Sequence, residues 1–222
     1  MVDLAGARVL AVLTRAPSAG GKTRLFAGLD VPPDPRLLDA LLLDTLDGAA
    51  ASGLPIVVAV TPASACDEVR ALLLDSQARH AEVIAQPDGD LGERMHATMA
   101  ALFARGAAAV ALIGSDLPHI GAAPVGAAFD ALAAEPDALI LGPAGDGGYY
   151  LIAATRVPDV FNAIDWGTPR VLDQTTRAAA DRSLPVHLVS ALDDVDSAED
   201  LRRVAAGGLA PRTAAWVRAA LQ

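Results

Sequence analysis

Residues 7–24 read ARVLAVLTRAPSAGGKTR. The first eight, Ala7–Thr14, are apolar, partly β-branched and too short for a buried helix, which predicts a buried strand. The next ten, Arg15–Arg24, are punctuated by Pro17, Gly20 and Gly21, which predicts a loop. A buried strand that empties into a glycine-bearing basic loop is a recurring unit of open α/β sheets. In those sheets ligands sit beyond the carboxyl ends of the strands.

The rest of the chain repeats the unit. Further strands are predicted at Leu54–Thr61, Ala81–Gln86, Val110–Gly114, Ala138–Leu141, Tyr149–Ala153 and Pro185–Ser190. Leucines at 37, 38, 41, 42 and 46 mark Pro35–Ser52 as a helix, closed by Gly53. Helices follow at Ser64–Asp75, Asp90–Arg105, Ala122–Ala134, Thr168–Arg182, Ser197–Ala206 and Thr213–Leu221. Strands alternating with helices require a mostly parallel sheet covered on both faces, an α/β/α sandwich. Tyr149–Ala153 breaks the alternation. The connection before it is too short for a crossover, so that strand is expected to run antiparallel and the sheet to be mixed. No repeat and no linker divides the 222 residues, so one domain over 1–222 is expected.

Composition narrows the function. Hydrophobic residues make up 53% and charged residues 20%, as in a globular chain rather than a disordered one. Seventeen bases against twenty-seven acids give a net charge of −10. That argues against nucleic-acid binding, which needs a basic face, and against an anionic membrane surface. The lone cysteine, Cys66, excludes a disulfide framework and a multi-cysteine zinc site. No apolar run reaches membrane-spanning length and no basic segment precedes the first apolar run, so a cytoplasmic protein is expected. Sixteen arginines accompany a single lysine, Lys22, which lies in the one basic window of the chain.

The residues that follow the strands are the candidate site. After the first come Arg15, Gly20, Gly21, Lys22, Thr23 and Arg24; glycines admit an anion close to backbone N–H groups, and the bases add charge. The spacing is neither a Walker A loop, since residue 16 is Ala16, nor GxGxxG. The plainer alternative is a solvated loop with surface ion pairs. After the fourth strand come Ser115 and Asp116, within GSDLP. A carboxylate there suits Mg²⁺, which takes one or two carboxylates plus phosphate oxygens, or else it caps the next helix. GPAGDGGYYLI (142–152) sets Asp146 among glycines, with Gly147 and Gly148 either allowing close approach or forming a turn. Asp194 and Asp196 share a side of an extended segment and could join Asp116 on a cation, or favour the next helix N-terminus. Trp166, in DWGTPR, could stack on a ligand or simply pack. The four histidines show neither ligand spacing nor a triad pattern, and no G-x-S-x-G elbow supports hydrolase chemistry. An acidic protein holding an acidic nucleotide needs local cations; the N-terminal window and a Mg²⁺ or Mn²⁺ on Asp116 would supply them.

Six blocks, RAPSAGGKTRL, GDLGERM, LIGSDLP, LGPAGDGGYYLI, DWGTPRVL and DVDSAEDL, resemble in order those of the radical-SAM/selenodomain-associated transferases of the nucleotide-diphospho-sugar transferase (GT-A) superfamily. The resemblance runs from about residue 8 to about residue 205. KTRL, SDLP and DVDSAEDL are more distantly similar to 2-phospho-lactate guanylyltransferase and the molybdenum-cofactor nucleotidyltransferases. The resemblance implies a GT-A-like fold, a bound nucleotide and a divalent cation. Lys22 and Arg24 would contact phosphates. Asp116 would ligate the metal, with Asp194 or Asp196 as a second carboxylate. Asp90 and Arg94 would border the nucleotide pocket. Asp146, Gly147 and Gly148 would lie on the acceptor side, where Tyr149 and Trp166 are also placed. The first loop is one residue shorter than in that family, and Gly167 stands where serine is common. Three functions follow as expectations: glycosyl transfer from a nucleotide-sugar to a small acceptor, nucleotidyl transfer releasing pyrophosphate, and non-catalytic nucleotide binding.

Overall fold

The computed structural model describes residues 3–221. Seven strands form one sheet: β1 (Arg8–Arg15), β2 (Ile56–Thr61), β3 (Glu82–Ala85), β4 (Ala109–Gly114), β5 (Leu139–Pro143), β6 (Tyr149–Ala154) and β7 (Val186–Leu188). Their order is β3-β2-β1-β4-β6-β5-β7. All neighbours pair in parallel except β6, which runs antiparallel to both β4 and β5. The expected mixed, mostly parallel α/β sheet is therefore the one observed, with the reversal at the YYLI segment.

Alternation along the strands divides the core. Leu10 and Val12 face one side, where α2 (Pro35–Ala50), α3 (Cys66–Leu73) and α5 (Ala122–Ala134) pack. Val9 and Ala11 face the other, under α4 (Leu91–Ala104), Val160, Phe161 and α6 (Val171–Ala180). A third cluster joins α1 (Thr23–Leu29), α7 (Ala198–Ala206) and α8 (Pro211–Ala220) to the outer face of α2 through Phe26, Leu37, Leu41, Leu201 and Trp216. Asp44 is buried within α2 because it has partners: it accepts from the backbone N–H groups of Thr213 at 2.8 Å and Arg212 at 3.2 Å. A buried carboxylate without such donors would be costly, so Asp44 fixes α8 on α2.

Three of the boundaries that differ from the sequence reading have a visible cause. The loop expected over 15–24 ends early: Pro17–Ala19 form one 3₁₀ turn and α1 begins at Thr23. Leu25, Phe26 and Leu29 supply the buried face that a window ending at Arg24 does not include. The final strand is shorter than expected, Val186–Leu188, because it pairs only with β5 and leaves His187 and Leu188 exposed at a sheet edge. Helix α6 starts at Val171 rather than Thr168; the Thr168 hydroxyl instead donates to the Asp165 carbonyl at 2.8 Å, and Pro169 follows.

Candidate active site

The carboxyl ends of β1, β4 and β5 meet at one rim of the sheet, with the amino end of β6. The short connection from β5 to β6 turns there: Ala144 N–H donates to the Gly148 carbonyl at 3.1 Å, and Gly148 N–H to Asp146 Oδ1 at 2.8 Å. The loop after β4 is held from below. Thr45 is fully buried in α2; its hydroxyl lies 2.9 Å from the Ser115 carbonyl and accepts from Leu117 N–H at 3.1 Å. Asp116, between these anchors, accepts through its carbonyl from Val195 N–H at 2.9 Å, so the segment carrying Asp194 and Asp196 is tied directly to the Asp116 loop. Asp193 Oδ1 in turn accepts from Gly145 N–H at 2.7 Å, joining the glycine loop to the same segment.

Lys22 reaches into this junction. Its backbone is left-handed (φ 52°, ψ 37°) immediately before α1. Its Nζ lies 2.8 Å from Asp116 Oδ2 and also pairs with Asp196. The side chain is only 12% exposed, so the pairs are not ordinary surface bridges. Burial works against the ammonium, but Asp116 and Asp196 outweigh it and raise its pKa. Asp194 is pushed up to about 6, first by burial and then by the charge of Asp196; Lys22 opposes the rise, while Asp116 and Asp146 add to it. One ligand atom from each of Asp116, Asp194 and Asp196 lies within 4.8 Å of the others. Three clustered carboxylate oxygens are the hard donor set that Mg²⁺ or Mn²⁺ takes, and the like charge that Asp196 and Asp116 add to the effect of burial on Asp194 is what a divalent charge would relieve. These residues fit such a cation.

Two clefts open on either side of Asp116. The first, of about 440 Å³, is lined by Arg15, Gly20, Gly21, Lys22, Thr23, Arg24, Ser115, Asp116 and Asp196, with Leu38 and Leu42 of α2 behind them. The second, of about 280 Å³, is walled by Met95, Leu112, Ile152, Tyr149, Trp166 and Val171 and carries Asp116, Asp146 and Asp194 at its polar end. Tyr149 and Trp166 meet edge to face, 6.4 Å between centroids at 80°. Tyr149 is raised by burial despite the Thr175 hydroxyl beside it, so it stays a neutral phenol.

The structure thus places the basic-loop residues together in the first cleft, with Asp116 shared and Asp194 and Asp196 beside it. Asp146, Gly148, Tyr149 and Trp166 line the second. Asp90 and Arg94 line neither. The Asp90 carboxylate accepts from Glu93 N–H at 2.9 Å while Glu93 reaches back to Asp90 N–H at 2.8 Å, a reciprocal cap on α4. Gly147 is in the left-handed region (φ 88°), and a Cβ there would collide with the backbone of Pro169. Its carbonyl accepts from Leu172 N–H at 2.9 Å, so its close approach is to its own chain.

Sequence reasoning missed three contributors. Thr45 positions Asp116, and its signal is a polar residue on the leucine face of α2. Asp193 orients the glycine loop; it directly precedes Asp194 and its only signal is that it too follows the last strand. Gly92, inside GDLGERM, leaves room for Trp166, whose indole a Cβ would approach to 2.8 Å. Two of the six sequence blocks therefore meet as one packing contact.

The topology and the rim site define the fold of nucleotide-diphospho-sugar transferases and cytidylyltransferases. The chain belongs to the family described as "uncharacterized protein conserved in bacteria (DUF2064)", whose model matches residues 42–168, a span that holds Thr45, Asp116, Asp146 and Trp166. It is similar to a "putative nucleotide-diphospho-sugar transferase" from Desulfovibrio desulfuricans G20, with 29% identity over 96% of this chain and 95% of that one and a TM-score of 0.83. CMP:2-keto-3-deoxy-manno-octonic acid synthetase complexed with CTP shares the fold at 16% identity and TM-score 0.53, over 90% of this chain and 97% of that one. Rv0371c of Mycobacterium tuberculosis H37Rv, crystallised with manganese, shares it at 21% identity and TM-score 0.51, over 90% and 98%. No curated protein matches the sequence. Among the described residues no helix is long and apolar enough to cross a membrane.

Proposed function

We propose that the protein transfers a glycosyl group from a nucleotide-sugar to a small acceptor. The observation that carries this reading is the Lys22–Asp116 contact standing between two clefts of opposite character. The cationic cleft suits the donor's diphosphate: Lys22 and Arg24 face it, with Gly20 and Gly21 leaving the backbone accessible. The other cleft receives the acceptor. Asp116, Asp194 and Asp196 would hold a Mg²⁺ or Mn²⁺ ion, which would supply positive charge against the departing diphosphate. Lys22 adds its own charge to the same oxygens, stabilisation that grows as the leaving group's charge develops. Asp146, at the polar end of the acceptor cleft, takes the proton of the attacking group.

Nucleotidyl transfer is the second reading. Arg15, Lys22 and Arg24 in one cleft also suit a triphosphate. One experiment separates the two. The protein is incubated with Mn²⁺ and panels of nucleoside triphosphates and nucleotide-sugars, with and without an acceptor mixture. Acceptor-dependent release of nucleoside diphosphate supports glycosyl transfer; pyrophosphate release replaces it with nucleotidyl transfer. Nucleotide binding without turnover of either kind makes the protein a binder.

A further inference from the structure

Resting on the two-cleft reading above, we infer that the acceptor is an uncharged small molecule with an apolar or aromatic body and one attacking hydroxyl, not a phosphorylated or carboxylated one. The inference comes from what lines the second cleft. Its formal charges are Asp116, Asp146 and Asp194, and among the described residues no Lys, Arg or His lines it. An anionic acceptor would enter a partly desolvated space beside Asp146 and Asp194, which costs far more than burying a neutral group; the nearby ammonium of Lys22 stands outside the lining and is already paired with Asp116 and Asp196. A divalent ion at Asp116 and Asp194 does not rescue it, because that charge is matched by its own ligands and by the donor diphosphate.

The wall says what the body is. Leu112 and Ile152 form a fully buried floor, and Met95 and Val171 are nearly so. Trp166 and Tyr149 present aromatic surface, the usual partner for a ring or the apolar face of a sugar. Leu91, at the start of α4, is 48% exposed at the cleft, one of few large apolar side chains left in water. An apolar ligand would cover it. The volume of about 280 Å³ lies just below the roughly 300 Å³ at which ligand sites begin, so the body is small.

The step balances. The acceptor hydroxyl oxygen bonds to the anomeric carbon of the donor. The bond from that carbon to the diphosphate oxygen breaks, its electron pair leaving on the nucleoside diphosphate, and the hydroxyl proton passes to the Asp146 carboxylate. No other reactant is consumed.

The test reads the cleft without requiring turnover. Trp166 and Trp216 are the two tryptophans, so Trp216→Phe leaves Trp166 as the reporter. The variant is titrated with 4-nitrobenzyl alcohol and with 4-nitrobenzoate, quenchers of similar size that differ in charge. Saturable quenching by the alcohol, with affinity at least about tenfold above the carboxylate, is expected. In the same background Leu91→Arg, at an exposed position, adds a cation to the rim and is expected to narrow that ratio severalfold. Equal or tighter binding of 4-nitrobenzoate, an unchanged ratio in the arginine variant, or no saturable quenching by the alcohol would each overturn the inference. A parallel thermal-shift titration with nucleotide-sugar and Mn²⁺ tests the donor cleft alone. Its failure sinks the transferase reading and leaves the quenching result standing on its own.

Discussion

The two clefts share Leu13, Gly114 and Asp116 yet differ in almost everything else. The larger is shaped by a loop and the start of a short helix, and its charged lining sets Arg15, Lys22 and Arg24 against Asp116 and Asp196. The smaller is shaped by strand and helix side chains, and its charged lining is wholly acidic. The protein's net charge of −10 conceals this division. A polyanion is repelled by the molecule as a whole but attracted to one side of Asp116; a neutral body finds apolar surface on the other. Charge is therefore sorted over a single residue's width, with Lys22 and Asp116 in contact on the dividing line.

Removing the divider gives the largest effect. Asp116→Ala is expected to lower transfer by a factor of about 10² to 10³, the scale for losing one preorganised electrostatic group. Mn²⁺ affinity, followed by calorimetry, should fall with it, while the fold is retained because Asp116 is partly exposed. Unchanged Mn²⁺ affinity would place the cation elsewhere. Next comes a double dissociation. Lys22→Ala should weaken nucleotide-sugar binding about tenfold or more, as expected for a charge-assisted contact of about 1.5–3 kcal/mol, and leave the acceptor KM alone. Trp166→Ala should do the reverse. If both variants move the same constant, the clefts are not separate sites.

The smallest effect is in stability against pH. Without metal, Asp194 sits near 6 against an ordinary value of 3.8. A carboxyl raised on folding contributes stability that is fully present below the unfolded value and is lost as pH rises through the folded one. The metal-free protein should therefore gain melting temperature on going from pH 7 to pH 5, and Asp194→Asn should flatten that gain. The carboxyls held low, Asp34, Asp159 and Asp200, act only at more acid pH; His119, held low by burial, opposes the gain and Asp39, raised by burial, adds to it, so the difference between the native protein and the Asp194→Asn variant isolates Asp194. A full gain in the asparagine variant would show that crowding around Asp194 is not its source.

The fold was legible because its signals are local. Val110–Gly114 and Leu54–Thr61 are continuous apolar runs bounded by turn residues, and the short link before Tyr149 forced a reversed strand. The place of the basic loop, Ser115, Asp116 and the glycine loop was also legible, since each follows a strand end and the structure gathers those ends at one rim. What the chain did not announce was long-range: that Lys22 contacts a carboxylate 174 positions away, or that Gly92 is vacant for an indole. Charge and glycine content show that such residues are special; only packing shows what they are special for. Asp90 was legible as a helix start, and the reciprocal cap with Glu93 is what the structure shows of it.

Reversing β6 has a consequence for which parts of this architecture can vary. A strand that starts at the rim finishes at the opposite end of the sheet, near Ala154, so the polypeptide must travel back to reach Trp166. That homeward stretch, with Val160 and Phe161 pressed into the core, delivers Trp166, Gly167 and Thr168 to the wall of the smaller chamber. A single residue inserted between Phe161 and Trp166 would shift the indole off Gly92 and reshape the chamber.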